Sequence, residues 1–125
     1  KMFFSKKIKD NQNWVSLEDK NQLEDLLELS KTIPVLFFKH STRCSISSMA
    51  LNRLNQGLDW SLKCNFSYLD LLSFRFLSNE IADISKVEHQ SPQAILIFKK
   101  EVLCAHSHGA INANEINTLI KNIEQ

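Results

Sequence analysis

The sequence predicts a single α/β domain in which a central mixed sheet of four to five strands is flanked by helices. Three observations favour this class: strand and helix patterns alternate along the chain, the run Pro34 to Phe38 is apolar on both sides, and two strand patterns near the C-terminus follow each other directly. Alternating units predict parallel strands covered on both faces, and a final hairpin adds an antiparallel edge. With 125 residues and 43% hydrophobic content, the chain is long enough for one core. We assign residues 1–125 to one domain, with its core from about residue 14 to residue 124.

The N-terminal part predicts a short leading strand at Trp14-Val15 and then a helix. Ser16-Leu17-Glu18-Asp19 has the form of a capping box, in which the serine oxygen accepts an amide and the acid reaches back. Leu23 and Leu26 follow at helical spacing, so we predict a first helix over residues 17–31.

A buried strand and a second helix come next. Pro34 to Phe38 is rich in strand formers and apolar throughout, which indicates a central strand buried on both faces. After a polar loop, apolar residues recur at three- and four-residue steps, and Gly57 is placed as a stop signal. The apolar positions of this predicted helix are Ile46, Met49, Ala50, Leu54 and Leu58.

Four further elements follow the second helix. Asn65 to Leu71 alternates in part and predicts a second strand of the sheet, and Ser78-Asn79-Glu80 marks the start of a third helix. Gln93 to Phe98 and Glu101 to His106 predict two strands joined by a tight turn at Lys99-Lys100.

The last element is a helix opened by Asn112-Ala113-Asn114-Glu115, which repeats the capping logic. Read in order, the chain is helix, strand, helix, strand, helix, strand, strand, helix, with the short leading strand before them. This order is that of the thioredoxin-like fold, and we predict a single thioredoxin-like domain.

Composition excludes several functional classes. The 15 basic and 14 acidic residues nearly cancel, to +1, and are dispersed, so neither a nucleic acid nor a membrane surface is expected as a partner. The apolar runs are far shorter than the roughly 20 residues of a membrane span, and no signal-peptide pattern is visible. Three cysteines without a short pairing motif argue against a secreted disulfide scaffold, so a reducing cytoplasm is the predicted location.

The stretch from Lys39 to Ser47, KHSTRCSIS, places Cys44 where the buried strand leads into a helix. A cysteine at the first turn of a helix meets unpaired amides and the positive end of the helix dipole, which favour thiolate over thiol. Arg43, His40 and Lys39 are expected to add positive potential, while Ser45 and Ser47 are expected to donate hydrogen bonds to the sulfur. The alternative is an ordinary buried cysteine, acting as a small core residue.

A second motif, Gln90-Ser91-Pro92-Gln93, comes just before a predicted strand. In the thioredoxin-like fold a cis proline at this point packs beside the reactive sulfur, and the backbone of the preceding residue, Ser91, offers a strand edge to an incoming disulfide. We therefore predict a cis Ser91-Pro92 bond. The alternative is a trans proline that starts an edge strand.

Three blocks together resemble the monothiol bacilliredoxins of the YtxJ-like family: His40 to Ser47, His89 to Gln93, and Ala105 to His108. The resemblance runs from about Trp14 to the C-terminus. It implies a thioredoxin-like fold and a redox role towards bacillithiol, the low-molecular-weight thiol that some bacteria use in place of glutathione. Bacillithiol would be a co-substrate, with no bound cofactor, and the partners would be client proteins carrying mixed disulfides.

The resemblance also implies roles for individual residues. Cys44 matches the active-site cysteine, Pro92 the cis proline, and Ser47 the position where a dithiol enzyme holds its second cysteine. A serine cannot resolve a disulfide, so the mixed disulfide on Cys44 must be released by an external thiol. The supporting positions are Thr42, Arg43, Ser45, Ser47, Ser91, Pro92 and His40.

The chain departs from the family motif at two positions. Ser45 stands where the family has a proline directly after the cysteine, and Arg43 stands where a small polar residue is common. Without that proline the first helical turn is less rigid but has one more amide donor. Arg43 is either a solvated charge or a contact for an anionic thiol ligand.

The other candidate residues have simpler alternatives. Cys64 and Cys104 fall at or in predicted strands and are either resolving thiols or small core residues. Cys104, His106 and His108 do not have a structural zinc spacing, and we predict no metal. His40 and His89 are either ordinary loop histidines or contacts for bacillithiol, and Trp14 and Trp60 are expected to pack.

Two other functional classes stay open. A redox-inactive thioredoxin-like adaptor would bind protein through the groove beside Pro92 and would have a slowly alkylated Cys44. A peroxide-sensing thiol protein would oxidise rapidly at Cys44 and would use Cys64 or Cys104 to trap the oxidised sulfur.

Overall fold

The computed structural model describes residues 7–8 and 11–124, so residues 1–6, 9–10 and 125 of the predicted domain lie outside the described residues. The described elements, in chain order, are β1 (Lys7–Ile8), β2 (Asn11–Ser16), α1 (Lys20–Leu29), β3 (Val35–His40), α2 (Ser45–Gly57), β4 (Asn65–Asp70), α3 (Arg75–Ser85), β5 (Gln93–Phe98), β6 (Glu101–Ser107) and α4 (Ala113–Glu124). A single 3-10 turn, His108–Ala110, precedes α4.

All described strands belong to one sheet, in the order β1-β2-β4-β3-β5-β6. Strands β2, β4 and β3 are parallel, whereas β1, β5 and β6 pair antiparallel with their neighbours. The predicted mixed sheet with an antiparallel hairpin is therefore confirmed. The expected four to five strands become six, because the two-residue β1 pairs at the outer edge of β2, and two residues carry no readable strand pattern.

Strand β3 lies in the middle of the sheet, and all six of its residues are buried. Alternate side chains enter two core clusters: Leu36 and Phe38 pack on the side of α2 and α4, and Val35 and Phe37 on the side of α1 and α3. A strand between two helix layers has no solvated face, which explains why its sequence is apolar throughout.

Two of the predicted helix starts are wrong. The N-cap of α1 is Asp19, whose carboxylate accepts a hydrogen bond from the Gln22 amide at 2.7 Å, whereas the Ser16 hydroxyl donates to Glu18. The helix is therefore shorter than the predicted 17–31. Helix α3 begins at Arg75, before the predicted Ser78. Its N-cap, Phe74, forms no side-chain capping hydrogen bond, so the sequence carries no capping motif at the true start.

Helix α2 occurs where its pattern predicts, but the pattern does not mark one buried face. Ala50 and Leu54 are fully buried, as expected. Ile46 and Met49 are instead 58% and 61% exposed, on the first turns after Cys44. These two apolar side chains therefore lie on the surface next to the cysteine.

The terminal elements follow their predictions. At α4 the Asn112 side chain accepts a hydrogen bond from the Glu115 amide at 3.0 Å, which confirms the predicted cap. The β5–β6 hairpin turns at Lys99 and Lys100, with φ of 54° and 64°. Positive φ at both central residues is the signature of a type I′ turn.

Candidate thiol site

Two motifs from distant parts of the chain meet at one end of the sheet. The loop that carries Cys44 leaves the C-terminal end of β3, directly after His40. In the antiparallel β3–β5 pair Lys39 lies opposite Gln93, so Pro92 is level with the start of the cysteine loop. The Ser91-Pro92 peptide bond is cis, as predicted.

Cys44 is the N-cap residue of α2. Its backbone is extended, with φ −110° and ψ 123°, and its side chain makes no capping hydrogen bond. The Cys44 amide donates to the Ser41 carbonyl at 3.1 Å, and its carbonyl accepts from the Ser48 amide at 3.0 Å. The half-buried sulfur thus stands at the positive end of the helix dipole, beside first-turn amides that a thiolate can accept from.

Ser47 is fully buried in the first turn of α2. Its hydroxyl oxygen lies 2.6 Å from His40 Nδ1 and accepts a hydrogen bond from the Ser41 amide at 3.0 Å. The hydroxyl that was expected to serve the sulfur is therefore engaged with the start of the cysteine loop.

His40 does not supply the positive charge that the sequence analysis assigned to it. Only 4% of the residue is exposed, and its ring stacks on Phe38 with the ring centroids 5.7 Å apart. Burial lowers the pKa of His40, and the nearby charge of Asp70 opposes that shift only in part. The imidazole is therefore mainly neutral near pH 7.

Thr42, Arg43 and Ser45, which flank Cys44 in the sequence, are exposed. Within the described part of the chain, none of their side chains forms a hydrogen bond or an ion pair. Arg43 is thus a cation in solvent next to Cys44. Ser45 is the first residue of α2, the position that proline favours and the family motif fills with proline.

Lys39 is buried on the opposite face of the sheet from His40, in a polar cluster that sequence reasoning missed. Its ammonium donates to the Ser78 carbonyl at 3.3 Å and lies 3.4 Å from His89 Nδ1, to which the Ser78 hydroxyl is 2.8 Å away. An ammonium can only donate, so His89 Nδ1 is the acceptor. Burial, with the charge of Arg75, lowers the pKa of Lys39 to about 8. The available signal in the sequence was a lysine that directly follows the apolar run of the central strand.

The loop before Pro92 is held by Gln93, a second residue whose role the sequence did not reveal. The Gln93 side-chain amide donates to the Glu88 carbonyl at 3.1 Å and to the Ser107 hydroxyl at 3.3 Å. On the other side, the His108 amide donates to the Pro92 carbonyl at 3.0 Å. These bonds and the His89 contacts together hold the cis proline beside the cysteine loop.

Cys64 and Cys104 lie far from Cys44. Asn65 pairs with Val35 at the opposite end of β3, and Cys64, one residue further out, lies roughly 20 Å from the level of His40 along the strand direction. Cys104 pairs with Leu96 of β5, which in turn pairs with Leu36 of β3. Cys104 therefore lies at a level roughly 13 Å from His40 along the strand direction. A disulfide needs Cα atoms within about 7 Å, so neither cysteine reaches Cys44 in this fold. Burial, with the charge of Glu115, raises the pKa of Cys104 to about 11.

The remaining candidates are the histidines of the C-terminal region and the two tryptophans. His106 Nε2 lies 3.2 Å from a carboxylate oxygen of Glu115, and His108 is exposed. Among the described residues no group of three His, Cys, Asp or Glu side chains is arranged to hold a metal ion. Trp14 is fully buried and packs edge-on against Trp60, as a packing role requires.

The sheet order and the placement of one thiol before α2, opposite a cis proline, define the class: a thiol oxidoreductase of the thioredoxin fold. A family model described as monothiol bacilliredoxin BrxC matches residues 15–116. The chain belongs to this family, so the resemblance seen in the sequence is confirmed.

Solved structures agree on the fold. One protein, described as an oxidoreductase candidate with a thioredoxin fold, is 30% identical with a TM-score of 0.73, over 90% of this chain and 94% of its own. A mutant thioredoxin from Halobacterium salinarum is 14% identical with a TM-score of 0.65, over 90% of this chain and 91% of its own. Thioredoxin f from spinach chloroplast is 12% identical with a TM-score of 0.66, over 90% and 87%. The last two show the fold alone.

No helix in the described ranges combines the length and apolar character that crossing a membrane requires.

Proposed function

We propose that this chain is a monothiol thiol-disulfide oxidoreductase that uses Cys44 to remove bacillithiol, or a similar low-molecular-weight thiol, from mixed disulfides on client proteins. The observation that carries the proposal is the placement of Cys44 at the helix N-cap, with Ser47 at the second-thiol position and both other cysteines out of reach. Membership of the monothiol bacilliredoxin family supports the same chemistry. A reducing cytoplasm suits such an enzyme and is part of the proposal.

The proposed cycle has two exchange steps. The Cys44 thiolate attacks the bacillithiol sulfur of the mixed disulfide, the client sulfur leaves as a thiolate, and a Cys44–bacillithiol disulfide forms. A second bacillithiol thiolate then attacks the bacillithiol sulfur of that adduct, which yields bacillithiol disulfide and restores the Cys44 thiolate. Each step breaks one sulfur–sulfur bond and forms one, so no further oxidant or reductant is needed.

The surroundings of Cys44 suggest how the substrate is held. Arg43 is a solvent-facing cation that suits an anionic thiol ligand, and the exposed hydroxyls of Thr42 and Ser45 can donate hydrogen bonds beside it. The Ser91 backbone, ahead of the cis Pro92, is the strand edge proposed to receive the client. His40 is not proposed as a ligand contact, because its ring is buried and engaged with Ser47.

The test is intact-mass analysis of the reduced protein after mixing with bacillithiol disulfide, with glutathione disulfide in parallel. We expect a rapid adduct on Cys44 that forms faster with bacillithiol disulfide and is removed by free thiol. Cys44→Ser should form no adduct, whereas the double variant Cys64→Ser/Cys104→Ser should react like the parent.

Other outcomes would favour the alternatives. No adduct, together with slow alkylation of Cys44, would replace the proposal by the adaptor function. Rapid oxidation of Cys44 by hydrogen peroxide, with trapping by a second cysteine, would favour the sensor, although the positions of Cys64 and Cys104 argue against an intramolecular trap. Equal rates with both disulfides would retain the oxidoreductase and remove the preference for bacillithiol.

A further inference from the structure

Ser47 forms buried hydrogen bonds that link it to the strand and the loop before Cys44. It is fully buried three residues after Cys44, and its partner His40 is only 4% exposed. The Oγ–Nδ1 distance of 2.6 Å is short for a hydrogen bond between neutral groups. This buried hydrogen bond therefore joins the end of β3 to the first turn of α2.

The hydroxyl of Ser47 is almost fully used. A serine hydroxyl has one donor and two acceptor positions, and one acceptor position is taken by the Ser41 amide. A second position is taken by His40 Nδ1, whichever of the two groups donates. Removing the oxygen would therefore leave the buried His40 ring and the partly buried Ser41 amide without this partner.

These contacts close the loop that presents the sulfur. His40 ends the strand before the loop and Ser47 lies in the first helical turn after it, while inside the loop the Cys44 amide donates to the Ser41 carbonyl at 3.1 Å. Ser41 is thus held through both its amide and its carbonyl, once by Ser47 and once by Cys44. The position of Cys44 depends on both bonds.

We propose that His40 and Ser47 are positioning residues that hold the Cys44 loop in the geometry for disulfide exchange, so that the site of a second thiol serves here as a clamp. The inference rests on thiol exchange at Cys44, which is part of the proposed function, but not on the preference for bacillithiol. A cysteine at position 47 would not replace the serine, because sulfur is larger and forms only weak hydrogen bonds.

The test compares exchange rates between Cys44 and dithiodipyridine, a small disulfide that needs no bacillithiol. Ser47→Ala and His40→Leu each remove the bond, whereas His40→Asn keeps an amide group near the position of Nδ1. Ser48→Ala is the matched control, since it removes a neighbouring hydroxyl on the same helix that forms no side-chain hydrogen bond within the described residues. Urea unfolding of each variant identifies any that fail to fold.

We expect Ser47→Ala and His40→Leu to slow exchange about tenfold, since a misplaced reacting group loses rate steeply. The double variant should be no slower than either single variant, because both changes remove the same contact. His40→Asn should recover most of the rate, and Ser48→Ala should match the parent. Parent-like rates in Ser47→Ala and His40→Leu, additive losses in the double variant, or an Asn variant as slow as Leu would each overturn the proposal.

Two further measurements keep the proposal falsifiable. Ser47→Cys should be slow at Cys44 and should not gain an efficient internal resolving step; a disulfide between Cys44 and the introduced thiol that forms and exchanges at parent-like rates would contradict the clamp. In the unmodified protein the Ser41 amide should be protected from hydrogen exchange, because it donates to Ser47. An unprotected Ser41 amide would overturn the proposal without any variant.

Discussion

At the scale of single residues, Lys39 is unusual because its charged side chain is fully buried within the central strand. Removing an ammonium from water is costly, and the cost is reduced here by the Ser78 carbonyl and His89. Desolvation and the charge of Arg75 lower the pKa of Lys39 to about 8. The residue lies beneath the loop that leads to the cis proline, so its polar contacts help to hold that loop.

The lowered pKa of Lys39 predicts a pH dependence of stability. Between pH 8 and 10.5 the unfolded chain keeps the lysine proton while the folded chain releases it, so this group makes the free energy of unfolding rise with pH. The contribution is at most about 1.4 kcal/mol per pH unit. Urea unfolding of the parent and of Lys39→Met, under reducing conditions at pH 8 and at pH 10, should show the parent gaining relative to the variant. Parallel behaviour of the two proteins would contradict the assignment.

At the scale of elements, the β5–β6 hairpin is anchored to the end of α1. The Lys99 amide donates to the Ser30 carbonyl at 2.6 Å, and the Lys100 amide donates to the Ser30 hydroxyl at 3.2 Å. The two lysines adopt the left-handed conformation that Asn and Gly favour, at a cost for a residue with a longer side chain. The turn is therefore held by its backbone and its docking site, while its side chains are poorly suited to it.

Replacing Lys99-Lys100 by Asn-Gly should stabilise the protein by about 1 kcal/mol, because both residues tolerate positive φ and the bonds to Ser30 are kept. The lost ion pair between Lys100 and Glu28 is exposed and contributes little. Thermal or urea unfolding measures the gain. Ser30→Ala is the control and should lose about 1 kcal/mol with the hydroxyl acceptor. An unchanged or lower stability of the Asn-Gly variant would show that the turn is not strained.

At the scale of the whole molecule, Trp14 links the N-terminal strand β2 to the rest of the domain. Its indole packs against the rings of Phe38, Trp60, Phe66 and Tyr68. Its Nε1 donates to the side-chain oxygen of Asn55 on α2 at 2.7 Å. One residue therefore connects a parallel strand, the sheet centre and the helix that follows Cys44.

Trp14→Phe should destabilise the fold by about 2–3 kcal/mol, because it opens space in a filled cluster and leaves the Asn55 oxygen without its indole donor. Trp60→Phe is the matched control: Trp60 is only partly buried and donates to the Asn55 carbonyl at a longer 3.3 Å. Urea unfolding should show a clearly smaller loss for Trp60→Phe. Equal losses would show that the cluster, and not the buried position of Trp14, sets the energy.

Local patterns predicted most of the fold. The structure confirms three features that depend on neighbours in the sequence. They are the apolar run of β3, which is buried on both faces, the Asn112 cap of α4 and the hairpin turn at Lys99-Lys100. The starts of α1 and α3 were misplaced, because the choice between Ser16 and Asp19 depends on where the chain leaves the sheet. The exposure of Ile46 and Met49 was missed because periodicity does not say which face meets the core.

The sequence by itself determined the alternation of strands and helices, the thiol before α2 and the Ser91-Pro92 motif, since each rests on residue types at short spacing. The likeness to a monothiol family also comes from the sequence, through the resemblance of three separate blocks. Only the tertiary structure decided that His40 is buried and bound to Ser47, that Lys39 is buried with His89, and that Cys64 and Cys104 lie away from Cys44. These facts depend on the register and order of strands far apart in the chain. Burial and distance then set the charge and the partners of each group, and neither quantity is a property of local sequence.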